Sequence, residues 1–295
     1  MNWKRFNHLP FQGWRVLALI TLFGAGQWLS AESIAIEARV VAVNSEQRSF
    51  QVELLRAESD DPAITVGRSL DCRVGPGDLA LGYLGRRIQA EAVHYNQAWH
   101  LERVFPADAP DFAAEINAQL RRETESMRRG SYVKAGQRIP DFVLIDQQGA
   151  FIQAYALAGR PFILNFIFTR CRAATMCPAA TTRMAELQDA AREMGLDQLR
   201  LVTISFDPEY DSPGILRQYA EGYGIEFEDF HLLTGARQVV DDLLRQFGLL
   251  TLEEDGTINH TMATLLVDAE GRVAVRKEGS NWSVQSFLQA VEALQ

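Results

Sequence analysis

Cysteine is scarce in this chain, with three in 295 residues. That is too few for a disulfide-built scaffold. Methionine is missing between Met1 and Met127, so this part of the chain holds no thioether for a soft metal ion. Basic residues are outnumbered, 29 Lys and Arg against 38 Asp and Glu, for a net charge of −9. Residues 1–31 carry Lys4, Arg5 and Arg15 and no acid, so the remainder is more acidic still. This argues against nucleic acid as a partner, because phosphate binding relies on clustered Lys and Arg. Internal repeats and low-complexity segments are absent. What the chain does have is apolar material, 47% of its residues, enough for one large domain or two of ordinary size.

The three basic residues precede 16–28, a stretch with no charge. A basic region followed by an apolar one of this length reads as a signal peptide over 1–31, with small residues at Ser30 and Ala31 near a cleavage point. The competing reading is an uncleaved anchor over about 11–30. Both place the rest of the chain outside the cytoplasm, where disulfide chemistry is permitted.

Residues 32–106 read as a small all-β domain. Alternating runs at 35–43, 49–55, 69–74, 87–94 and 98–105 are separated by turn signals such as Asn44-Ser45, Gly75-Pro76-Gly77 and Tyr95-Asn96. Five short strands predict a barrel of oligonucleotide/oligosaccharide-binding type. Cys72 is in phase with Leu70 and Val74 and reads as a buried structural thiol. His94 and His100 flank Trp99 and read as polar strand residues near a hairpin. Residues 107–131 predict a helical connector, capped by Asp108 or Asp111, with Phe112, Ile116 and Leu120 on one face and Gly130 as its stop. Its arginines read as a solvated face.

The second domain, 132–295, alternates strands (142–146, 151–155, 162–168, 199–206, 260–268, 272–277) with helices (213–223, 236–248, 283–294). That order predicts a sheet with helices on both faces. The segment 161–195 organises it. A short apolar run, 162–168, ends at a loop that carries Cys171 and Cys177, and Pro178 then opens a helix marked by Met184, Leu187, Ala191 and Met194. Thiols at a helix N-terminus are expected to ionise more easily. The pair can form a disulfide, hold a soft metal ion, or do both in turn.

Several stretches resemble one family. The opening, Gly136 to Leu144 with Asp146 and Gly149, resembles thioredoxin-like redox proteins. Asn165 to Cys171 with Cys177-Pro178, the run Ser205-Phe206-Asp207-Pro208-Glu209-Tyr210-Asp211-Ser212-Pro213, and Ile258-Asn259-His260-Thr261 before Leu265 are similar to the Sco/SenC family, over roughly 132–295. The resemblance implies a thioredoxin-like fold in the periplasm or at the outer face of the cytoplasmic membrane. It also implies a metallochaperone in which Cys171, Cys177 and His260 hold copper, as Cu(I) or Cu(II). The implied partner is the copper-site subunit of cytochrome c oxidase, or another extracytoplasmic copper or thiol protein, with membrane contact through the N-terminal segment if it is uncleaved. Five residues separate the cysteines here, where the family usually has three. Thiolates suit Cu(I) and imidazole suits either copper state. Met176 reads as a gap-filling side chain with a soft-ligand alternative. Asp207 reads as a turn residue or as a carboxylate near the site. The alternative function is a thiol-disulfide oxidoreductase that cycles Cys171 and Cys177.

Overall fold

A computed structural model describes residues 33–57, 59, 61–254 and 257–294. The signal or anchor segment expected over 1–31 lies outside the described residues.

The first strands alternate buried and exposed residues, as half-buried strands must. They are β1 (Ser33–Asn44), β2 (Ser49–Ala57), β3 (Ser69–Arg73), then a one-turn helix α1 (Pro76–Leu79), then β4 (Arg87–Tyr95) and β5 (Ala98–Pro106). They close into a barrel in the order β1-β2-β3-β5-β4, with β1 antiparallel to both β2 and β4 and β3 parallel to β5. The expected five-stranded barrel is therefore present, each strand within two residues of its predicted ends. Ala38, Val40, Phe50, Val52, Leu54 and Ile88 fill its interior. Cys72 is fully buried among them, and burial pushes its thiol up to about 12, the inert condition of a structural cysteine. His94 packs on Trp99 and His100 stacks on Tyr95 at the β4–β5 hairpin.

Helix α2 (Asp111–Ser126) follows and departs from the expected connector. Its buried positions are Ala113, Leu120 and Thr124, and Phe112 is about half exposed. Asp108 is no cap; it forms a two-pronged pair with Arg86 of the barrel. Nor do the arginines form a solvated face throughout, since Arg121 reaches the buried Asp242 at 2.9 Å. Asn117 exchanges two 2.9 Å hydrogen bonds with the Val143 backbone, pairing the first residue of β6 beyond the reach of β10.

The remaining elements are β6 (Val143–Asp146), β7 (Phe151–Gln153), α3 (Ala154–Leu157), β8 (Phe162–Ile167), α4 (Cys177–Glu193), β9 (Arg200–Ser205), α5 (Pro213–Gly222), β10 (Phe230–Thr234), α6 (Arg237–Gln246), β11 (Thr251–Glu254), β12 (Thr257–His260), β13 (Ala263–Val267), β14 (Val273–Glu278) and α7 (Val284–Glu292). Seven strands form one sheet in the order β14-β13-β8-β9-β10-β6-β7, and β11 and β12 pair separately as a hairpin. Every residue of central β8 is buried, because helices cover both faces. Leu120, Phe166, Leu243 and Phe247 pack on one side, and Ile163, Met184, Leu216 and Phe287 on the other. Three expectations change. His260 ends β12 and does not begin the next strand, the strand expected over 151–155 stops at Gln153 where α3 begins, and β10, unread in the sequence, lies between β9 and β6.

The packing of α2 has a measurable consequence. Leu120 is worth about 1.5–3 kcal/mol when buried, and the two Asn117 bonds about 1 kcal/mol each. A fragment beginning at 132 should be roughly 4 kcal/mol less stable than one beginning at 107, a large share of an ordinary domain's stability. Urea denaturation of both fragments checks this. Equal midpoints would show that α2 is the dispensable connector the sequence predicted.

Candidate metal centre

The site forms where β8 leaves the sheet. Its last residues run into Phe168 and a tight turn in which the Cys171 amide donates to the Phe168 carbonyl at 3.3 Å. The inter-cysteine loop then closes on itself, the Met176 amide donating to the Ala173 carbonyl, and helix α4 starts at Cys177 with Pro178 in its first turn. Proline fits there because its missing N–H would have no partner in any case. Met176 is partly buried against the apolar core, the gap-filling role. Met194, expected on the buried face of α4, caps its C-terminus and is exposed.

His260 arrives from the opposite direction. Strand β13 runs antiparallel to β8, with Thr264 opposite Asn165. The residues just before β13 therefore lie beside those just after β8. The ligand atoms of Cys171, Cys177 and His260 all fall within 4.8 Å of one another, and among the described residues this is the one such His, Cys, Asp or Glu group. His94 and His100 join no comparable group. Cys177 Sγ stands 3.5 Å from His260 Nε2.

The imidazole is oriented. Its Nδ1 lies 3.2 Å from the Thr261 carbonyl. A carbonyl only accepts, so Nδ1 carries the proton and the Nε2 lone pair faces Cys177. Phe168 meets the ring edge-on at 5.7 Å and Phe206 lies against it at 4.5 Å. Burial lowers the His260 pKa, so the ring is held in its neutral, metal-binding form.

Cys177 is fully buried, and burial raises its thiol pKa well above the ordinary value. This overturns the expectation of easier ionisation at a helix N-terminus. A helix dipole is worth about 0.3–1 kcal/mol, and desolvating a thiolate outweighs it. Cys171 is half-buried and presents the accessible sulfur. Two sulfurs and one neutral nitrogen converge around the buried Cys177, so the donor set fits a soft cation that can replace the thiol protons.

Two carboxylates brace the loop. Asp207, read from the sequence as a turn residue or a nearby carboxylate, is buried and takes Arg170 through two contacts of 2.9 and 2.6 Å. Its grip is on the residue before Cys171. Asp211 carries no separate role in the sequence reading beyond its place in that motif run. It accepts from the Thr169 amide at 3.1 Å and from the hydroxyls of Thr169 and Ser205, and burial pushes its carboxyl up to about 6. Its signal in the sequence was a second aspartate four residues after Asp207. Nothing local showed that it would turn inward.

The family model described as SCO1/SenC matches residues 132–294. The chain belongs to the SCO1/SenC family. Among its relatives is the SCO1 protein homolog of Bacillus subtilis (strain 168), 30% identical over 150 residues, which are 47% of this chain and 76% of that one. A Stutzerimonas stutzeri protein whose name describes copper binding is 31% identical over 138 residues, 45% of this chain and 65% of that one. The crystal structure of a SCO1/SenC family lipoprotein from Bacillus anthracis str. Ames aligns with a TM-score of 0.51 at 27% identity, covering 56% of this chain and 99% of that one. The fold of the second domain is thus the thioredoxin-like fold of SCO1/SenC proteins. The three-residue cluster lies inside the matched region and the barrel lies outside it.

Proposed function

We propose that this SCO1/SenC protein binds one copper ion through Cys171, Cys177 and His260, on the extracytoplasmic side of a membrane. From there it delivers the ion to the copper site of cytochrome c oxidase or prepares that site's thiols. The observation that carries the reading is the convergence of two sulfurs and an oriented Nε2 within 4.8 Å. Thiolates stabilise Cu(I) and the imidazole serves both oxidation states, so the ion can stay bound through a redox change. The name of the Stutzerimonas relative supports the metal, and the description of the Bacillus anthracis relative as a lipoprotein supports the location. No helix among the described residues is long and apolar enough to cross a membrane.

A second reading, thiol-disulfide exchange, is favoured by one observation. A half-exposed Cys171 stands beside a fully buried Cys177, an arrangement with one attacking and one resolving thiol. Anaerobic titration of the reduced protein with Cu(I) separates the two. Retention of about one ion per chain after desalting is expected from a single S,S,N site. Failure to retain a stoichiometric ion would leave the exchange reading in its place.

A further inference from the structure

The barrel meets the SCO1/SenC domain backbone to backbone. Helix α1 of the barrel lies against the start of α5, and two glycines permit it. A Cβ on Gly77 would stand 2.0 Å from the Gly214 carbonyl oxygen, and one on Gly214 would stand 2.3 Å from Asp78 Oδ1. Asp78 is 7% exposed, and its Oδ1 has no hydrogen-bond partner among the described residues. A bare carboxylate oxygen is costly to bury, and burial pushes this carboxyl up to about 7. It rests beside Gly214 in the first turn of α5, where helix N–H groups lack intrahelical partners. The barrel thus presses an acidic side chain onto the N-terminus of a helix in the other domain.

That helix is continuous with the braces of the cysteine loop. The segment from Asp207 to Pro213 is a chain of tight turns: the Tyr210 and Asp211 amides donate to the Asp207 carbonyl, Ser212 donates to Tyr210, and Leu216 donates back to Ser212. Asp211, Ser212, Pro213 and Gly214 are all buried. Asp211 holds Thr169 and Asp207 holds Arg170, the two residues before Cys171. A chain of contacts therefore runs from Asp78 through Gly214 and the turns before it to Asp211 and Asp207, and from them to Thr169 and Arg170, the residues just before Cys171.

A disulfide between the two cysteines would require the loop to move. In the structure both thiols are free, their sulfurs up to 4.8 Å apart; a disulfide requires about 2.05 Å. Cys177 is fixed in a helix and fully buried, so Cys171 must do most of the moving, and it is the residue that Asp207 and Asp211 hold through its neighbours.

We propose that the barrel is coupled to the two-cysteine loop through the contact of Gly77 and Asp78 with Gly214, so that a docked barrel favours the open dithiol and disulfide closure loosens the dock. The coupling needs only the thiol pair and stands whether or not the site carries copper. Oxidation by glutathione disulfide closes the pair: Cys171 and Cys177 lose two electrons and two protons, and two molecules of glutathione are released. Because the coupling is a free energy, it works in both directions.

The test uses the full-length chain without metal. Gly77→Ala places a methyl group against the Gly214 backbone, and Asp78→Ala removes the carboxylate. In both variants Arg86 still holds the Gly149 carbonyl of the second domain at 2.9 Å, so the barrel stays attached. The equilibrium constant for disulfide formation against glutathione should rise by about fivefold or more, the low end of ordinary coupling between sites. An unchanged constant, with hydrogen exchange showing faster amides over 77–80, would overturn the proposal. Should either variant fail to fold, the wild type gives the reciprocal reading. Amides over 77–80 and 214–216 should exchange faster in the disulfide form than in the dithiol form, and equal rates would overturn it. Loss of copper binding alone, with these shifts intact, would count against the metal reading and not against the coupling.

Discussion

Replacing Cys177 with serine is expected to weaken Cu(I) binding by about 100-fold or more, beyond the loss usual for residues that only support a metal ligand. The sulfur sits in a fully buried pocket, where its proton is hard to remove. A cation compensates for that loss when it takes the proton's place, and a soft cation does so best with a polarisable sulfur. A serine oxygen is harder and far less acidic, so the site would be left with one sulfur and one nitrogen. Cys171→Ser should lower affinity in the same direction. Cys72→Ala, in the barrel interior, should leave it unchanged, since Cys72 belongs to a separate core. Competition against a chromophoric Cu(I) chelator measures all three, with circular dichroism confirming the fold. Wild-type affinity in Cys177→Ser would remove the metal centre as drawn.

The His260→Ala variant should bind copper about 10- to 100-fold more weakly and change the sulfur-to-copper absorption of the Cu(II) form. Disulfide formation between Cys171 and Cys177 should continue. The separation follows from the geometry. Nε2 faces Cys177 Sγ with its lone pair, while Nδ1 is tied to the Thr261 carbonyl, so the ring is positioned as a donor. Thiol-disulfide exchange needs no third donor. The same pair of measurements on one variant therefore separates the role of His260 in copper binding from the thiol chemistry of the pair. Equal affinity and an unaltered spectrum would remove His260 from the copper site.

The parts of this protein that were legible beforehand are those set by neighbours in sequence. Each barrel strand announces itself by alternation and a turn signal, because the two faces of a strand see different surroundings at every step. The run from Phe162 through Cys171 and Cys177-Pro178 reads as strand, loop and helix for equally local reasons. The family motifs named the three clustered residues, and the structure brings those three together. Less was legible in α2, where the spacing of Phe112, Ile116 and Leu120 pointed to a face rotated from the one that packs. The docked face includes Asn117 and Thr124, polar residues whose partners, Val143 and Gln246, lie far along the chain. The short strand β10, Phe230 to Thr234, alternates no polar and apolar residues because it is buried between β9 and β6, so no period marks it in the sequence.

The sequence by itself determined the order of most elements, the barrel and the layered second domain, and its family motifs pointed to the three residues that cluster. Tertiary structure alone decided that His260 meets Cys177 across 83 positions of chain, that Asp211 turns inward to hold Thr169, and that Asp78 is pressed against α5. It also decided the sign of the Cys177 shift. The helix dipole that favours ionisation is a local property and can be read from Pro178 onward. Desolvation is a sum over everything packed around the sulfur, contributed by β8, α4 and the segment before β13, and that sum exists only once the chain has folded.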